Sequence, residues 1–408
     1  MDKIRNGKRN ISINLGLISS IFAIVIGLLV GFVILLISNP AQAVDGFTTI
    51  LTGALSEGMK GIGQVLYYAT PIICTGLSVG FAFKTGLFNI GASGQFTIGA
   101  FAAVAVGILC SNLGSVHWIV ALIAAVFAGA IWALIPGILK AMVNINEVIA
   151  CIMTNYIGMY LVNWLVKDTP ALFNKVENRS KPVASTAIIP KAGLNKIFAG
   201  SYVNLGIVIA IAAAIIIYVV LTKTTFGFEL RAVGFNRDAS KYAGINEKKS
   251  IMLSMAISGA LAGLGGGLFY LAGSGQYIEV VDELASAGFD GISVALLGLS
   301  HPLGILLAAI FVAYIKQGGF YLQLFEFSNE IIDIIIAVII YFSAFSMIVR
   351  TFITKRSHRK RENDTTHMPD SASPQIPSPL HQPIPGEKPG RDAVGDLSET
   401  NENGGEQK

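Results

Sequence analysis

Nowhere does this 408-residue chain contain a GxxxxGK[ST] run, so it carries no phosphate-cradling loop of that kind. Its histidines, His117, His301, His358, His367 and His381, include no pair at helical metal-ligand spacing. The three cysteines, Cys74, Cys110 and Cys151, lie apart in apolar surroundings and read as small buried hydrophobes. Charge is scarce as well: Asp, Glu, Lys and Arg make up 13% of the chain, about half the share of soluble proteins. Acids are rarest inside the apolar runs, where an ion-coupled carrier needs them. These absences argue against a nucleotide hydrolase, a metalloenzyme or any catalytic constellation. No cofactor bound by this chain is expected, and an ion-coupled secondary carrier is left as a weaker reading.

Apolar residues dominate, at 53% of the chain, in repeated long runs rather than alternating strands. That pattern predicts an all-α polytopic membrane protein surrounded by lipid. A cytoplasmic N-terminus (1–14) with Lys3, Arg5, Lys8 and Arg9 precedes a first span over Leu15–Ile37. Asn39–Gly63 reads as a mixed polar loop. Further spans follow at Gln64–Phe83, with Pro71 inside it, and from the Gly-rich run after Lys84 to Cys110. Val116–Leu139 and Val148–Val166 are the next two, and residues 167–200 form a long external loop. Tyr202–Leu221 and Ile251–Ala272 flank the one long interior stretch that is dense in charge.

Phe289–Lys316 decides the topology. As one span it would leave the C-terminus outside, yet Arg350, Lys355, Arg356, Arg359, Lys360 and Arg361 follow the last span, Ile331–Ile348, with no acid among them. That is an inside signal. A hairpin of two short legs, broken at Ser300-His-Pro302, resolves the conflict, because proline disfavours a continuous helix there. About ten membrane segments with both termini cytoplasmic follow, in a transmembrane domain spanning 15–350. Beyond it, 351–408 reads as a basic patch and a disordered Pro-rich acidic tail. Residues 362–408 hold 9 acids against 3 bases and half of the chain's 14 prolines, with few large apolar groups to fold around. The basic balance of the body reflects positive-inside loops, and nucleic acid is not an expected partner.

Two sets of polar residues stand out. Asn89, Gln95, Asn155 and Tyr156 lie within or beside apolar runs. They either bond a neutral polar solute crossing the bundle or bond neighbouring helices. The second set lies in the charged stretch Thr225–Ser250, within the cytoplasmic loop 223–250, which has no apolar core to cross lipid. It reads as two short helices: Gly234 breaks the first, Asn236 caps the second, and Gly244 ends it. Asp238 in the first turn and Lys241 in the last complement the second helix's dipole. Two capped helices in one loop point to docking of another protein.

The run GFELRAVGFNRDASKYAGI, followed by SGALAGLGGG, resembles the cytoplasmic-loop signature of ATP-binding-cassette importer permeases. It is similar to the family serving ribose-type sugars, branched-chain amino acids and nucleosides. TGLFNIGASGQFTIGAF (85–101), NEVIACIMTNYI (146–157) and FDGISVALLGLSHPLGIL (289–306) resemble its nucleoside, basic-membrane-protein-associated branch. The FNIGxxGQ form looks like the larger of two permeases. Ser93 departs from the pattern, which commonly has an acid there. The resemblance implies a multi-pass protein of a bacterial cell membrane, in a heterodimer with a second permease subunit. It further implies a separate ABC ATPase subunit using ATP and Mg, an extracellular solute-binding lipoprotein, and a nucleoside-like solute, with a ribose-like sugar as the alternative. The implied ATPase-coupling residues are Arg231, Gly234, Asn236, Arg237, Asp238, Tyr242 and Gly244.

Overall fold

The computed structural model describes residues 24–328, 330–339 and 341–342. The expectations for 1–14, for the basic patch and for the acidic tail lie outside those residues. Helices dominate the described chain: α1 (Ile24–Ser38), α2 (Ala43–Ser56), α3 (Met59–Lys84), α4 (Ala92–Leu109), α5 (His117–Val143), α6 (Glu147–Asp168), α7 (Leu194–Ile197) and α8 (Gly206–Lys223). Then come α9 (Thr225–Phe235), α10 (Arg237–Tyr242), α11 (Glu247–Tyr270), α12 (Ser286–Leu297), α13 (Pro302–Phe320) and α14 (330–339). Among the described residues, seven helices are long and apolar enough to cross a membrane, namely α3, α4, α5, α6, α8, α11 and α13. Within the loop 167–200, β1 (Phe173–Asn174) pairs antiparallel with β2 (Arg179–Ser180).

Local chemistry sets many of the boundaries. Asn146, Asn236 and Asn246 each accept a backbone N–H with the side chain and so start α6, α10 and α11. Pro71 does not break α3, which runs through it from Met59 to Lys84. Pro302 occupies the first turn of α13, the one helical site where its missing N–H costs little.

Two expectations need correction. Residues 43–56, read as part of a polar loop, form α2, because Gly46 and Gly53 let it lie against Phe327 and Gly318. The hairpin legs are also unequal. The 12 residues of α12 rise about 18 Å, too little for a hydrocarbon core of about 30 Å, whereas the 19 of α13 rise about 28 Å. The chain does turn at 298–301, and Leu299 and Ser300 both take positive φ there.

At the centre α3 and α11 lie antiparallel. Three side-chain contacts fix this: Thr85 to Ser254, Ser78 to Ser258, and Tyr67 to Ser274 beyond the end of α11. α11 packs antiparallel along α5 and also against α4, while α3 packs antiparallel along α13 and also against α12. Each central helix is followed by an irregular stretch, a further helix and a long helix that runs antiparallel to the other central helix. Exchanging α3–α4–α5 for α11–α12–α13 therefore reproduces the packing, with the chain direction inverted.

The α11 glycines permit this closeness. A Cβ on Gly263 would strike the Ala125 carbonyl oxygen, and Gly99 approaches the same point from α4. Gly263→Val is expected to cost about 3 kcal/mol, the upper end for overpacking. Denaturant titration of the purified chain measures it, and an unchanged midpoint would refute the close packing.

Candidate functional site

Of the expected polar residues, Asn89, Gln95 and Asn155 come together, and all three are buried. The irregular stretch 85–91 turns back into the bundle after α3, carrying Asn89 to the start of α4. Asn89 and Gln95 form a reciprocal amide pair: Asn89 Nδ2 donates to Gln95 Oε1 at 2.8 Å, and Gln95 Nε2 to Asn89 Oδ1 at 3.0 Å. Asn89 Nδ2 also donates to Ser258 Oγ of α11 at 2.7 Å. From α6, Asn155 accepts the Gly94 N–H at 2.8 Å and donates to the Ile90 carbonyl at 3.0 Å. The amides thus satisfy one another and the bent backbone, fastening α3, α4, α6 and α11 together.

Tyr156 is not part of this cluster. It follows Asn155 about 100° around the helix and is 48% exposed on the other face. That outer face of α6 carries Met153, Tyr156, Tyr160 and Trp164, all exposed and at helical spacing. Sequence reading passed over Tyr160 and Trp164, although their four-residue step from Tyr156 is visible in the chain. Ser93, the departure from the family pattern, lies where the starts of α4 and α12 meet. Its hydroxyl donates to the Ala285 carbonyl at 2.8 Å, and Gly288 sits directly on its backbone.

The second set forms a compact element on the end of the bundle where α3 stops. Asn236 has extended backbone (φ −157°), and its side chain accepts the Ala239 N–H at 2.9 Å to begin α10. Gly244, at φ +81°, closes the turn after α10. Asp238 and Tyr242 face outward, Tyr242 being 95% exposed. Arg231 Nε donates to the Gly227 carbonyl at 3.2 Å.

Gly234 does not break α9, which continues to Phe235. It is instead the point of closest approach to the body: a Cβ there would lie 2.7 Å from the Thr85 carbonyl carbon and 2.8 Å from the Gly86 nitrogen. Arg237 turns back toward α11, with its Nε 3.6 Å from Glu247 Oε2. Nearby, Lys140 of α5 and Glu147 of α6 form an ion pair at 2.8 Å. Sequence reading missed Phe228 and Phe235, the latter 91% exposed. With Ala239, Ala243 and Ile245 they line an apolar cleft of about 460 Å3 between α9 and α10. Large aromatics in a polar loop were the available signal.

Among the described residues no group of three or more His, Cys, Asp or Glu side chains is placed to hold a metal ion. The arrangement offers a polar, satisfied bundle centre, an outward aromatic stripe on α6, and an exposed two-helix element seated on the body through glycine backbone.

Residues 61–344 match the model of the family described as "Branched-chain amino acid transport system / permease component". The chain is 39% identical over 348 residues to guanosine ABC transporter permease protein NupP of Bacillus subtilis (strain 168), covering 85% of this chain and 98% of that protein. It is 36% identical over 354 residues to nucleoside ABC transporter permease protein NupB of Lactococcus lactis subsp. cremoris (strain MG1363), covering 85% and 95%. A second Bacillus subtilis (strain 168) protein, guanosine ABC transporter permease protein NupQ, is 30% identical over 263 residues, covering 63% of this chain and 80% of that protein. No solved structure matches.

Proposed function

Because this chain belongs to the branched-chain amino acid transport system / permease component family, we propose that it is one of two permeases in an ATP-driven nucleoside importer. The near-complete coverage of a guanosine permease, 98% of its length at 39% identity, carries the choice of solute. That Bacillus subtilis has two proteins bearing the guanosine permease description, both similar to this chain, supports a second, different permease as partner. A separate ATPase that binds ATP and Mg would dock on α9–α10 at the cytoplasmic face, where Phe228, Phe235 and Tyr242 offer exposed aromatic anchors. An extracellular lipoprotein would deliver the solute at the opposite end, in the cell membrane of a bacterium.

The solute path is proposed along the outer face of α6, between the two permeases. Tyr156, Tyr160 and Trp164 supply aromatic faces on which a nucleobase stacks. Asn89, Gln95 and Asn155 support this path from behind by holding α6 and α4 in place. Alternating access then follows from closure of the ATPases, transmitted through α9–α10 to a packed interface with two discrete arrangements.

The direct test is uptake of labelled guanosine by a strain lacking this chain, with and without the gene restored. Restoration is expected to return uptake at least tenfold above background. Excess unlabelled nucleosides should compete, and ribose should not. Competition by ribose alone would replace the nucleoside by a sugar. Uptake by this chain in vesicles without ATP would instead make it a gradient-driven carrier.

A further inference from the structure

A second cleft, of about 410 Å3, opens at the α9–α10 end of the bundle, between the ends of α3 and α8, the flank of α9 and the turn joining α12 to α13. Lys84, Arg231 and His301 line it, and among the described residues no acidic one does. Among the described residues neither Lys84 nor Arg231 pairs with a carboxylate. The bond from Arg231 Nε to Gly227 holds the guanidinium at the cleft and leaves its terminal nitrogens for another acceptor. Burial and the Lys84 cation hold the His301 imidazole below its ordinary pKa. It is therefore neutral at pH 7 and offers an N–H donor rather than a third charge.

Two cations facing one space without a counter-ion repel each other, so an anion entering the cleft is favoured. The remaining wall is apolar, with Phe83, Leu221 and Pro302. Lys84 and Thr222 lie in the last turns of two apolar helices, the depth at which headgroups meet a membrane protein. A free phosphate would use the cations and leave the apolar wall bare. A lipid uses both.

We propose that this cleft binds the phosphodiester of an anionic membrane phospholipid, with Lys84 and Arg231 as its counter-ions, His301 as a donor and the acyl chains along the apolar wall. Gly86, Gly234 and Phe235 also line the cleft, so the lipid sits at the seam between α9 and the body. An occupied cleft braces that seam. Its consequence for transport rests on the reading of α9–α10 given above, whereas binding itself does not.

The full chain, purified and stripped of lipid, is titrated with phosphatidylglycerol, phosphatidylcholine or inorganic phosphate, and bound molecules are counted by native mass spectrometry. Wild type should retain phosphatidylglycerol, and Lys84→Gln/Arg231→Gln should lower retention about tenfold. Thr222→Trp, which fills the mouth and keeps both cations, should do the same and guards against a folding defect in the double variant. Equal retention of phosphatidylcholine, equal binding of phosphate alone, or unchanged phosphatidylglycerol retention in both variants would overturn the proposal. So would displacement of the lipid by the partner ATPase, since the cations would then serve a carboxylate of that protein. Lipid retention with failed guanosine uptake would sink the nucleoside reading alone.

Discussion

Gly234→Leu is expected to cut solute uptake about a hundredfold while leaving the chain folded and in the membrane. The four added carbons have nowhere to go. Even a Cβ would lie within 3 Å of the Thr85 and Gly86 backbone, so α9 must lift away from the end of α3. Gly86 cannot yield easily, because its own φ of +78° already commits it to a conformation that other residues avoid. With an ATPase docked on α9–α10 as proposed, lifting the element would separate ATPase movement from the bundle without touching the bundle core. The assembled transporter should therefore still hydrolyse ATP, but hydrolysis should no longer respond to solute-loaded lipoprotein. Gly234→Ala should lie between the two. Uptake within twofold of wild type in Gly234→Leu would remove α9 from the coupling route.

Asn89→Leu should be the most damaging single change in the bundle centre, at about 3–5 kcal/mol. Ordinary interhelical hydrogen bonds in membranes are worth only about 0.6 kcal/mol, because a released side chain finds other partners. Here the released group is Gln95, buried and bonded through its side chain to Asn89 alone among the described residues. Losing Asn89 strands both ends of that amide. The double variant Asn89→Leu/Gln95→Leu removes the stranded group and should be less destabilised than Asn89→Leu by itself. Denaturant titration of wild type, Asn89→Leu, Gln95→Leu and the double variant decides the matter, and a double-variant loss equal to the sum of the two single losses would refute the reciprocal pair.

Features written locally in the sequence were the legible ones. Long apolar runs marked the seven described helices that are long and apolar enough to cross a membrane, His301-Pro302 marked the break, and Asn236 and Gly244 marked the shape of the α9–α10 element, since caps act on neighbouring N–H and C=O groups. Features that depend on distant partners were not legible. α2 needs Gly318 and Phe327, far along the chain, to cover a face made of Ala43, Gly46, Ile50, Gly53 and Ala54, too small-sided to stand out by itself. The role of Gly234 is set by residues 85 and 86, and the same glycine read without them is simply a helix breaker. Asn155 and Tyr156 read as one set because both are polar groups in an apolar run, although a helix points neighbours in different directions. Asn89 and Gln95 stand close in the sequence, yet only the fold of 85–91 shows them bonding each other.

The inverted correspondence of α3–α4–α5 with α11–α12–α13 bears on how such a chain opens. A unit whose two halves are the same design turned upside down has an axis lying in the membrane plane. What one half presents to the outside, the other presents to the inside. Opening to the opposite side then requires no new structure, only that each half adopt the posture of its counterpart. In that sense the two end states are already contained, as mirror roles, in one static arrangement.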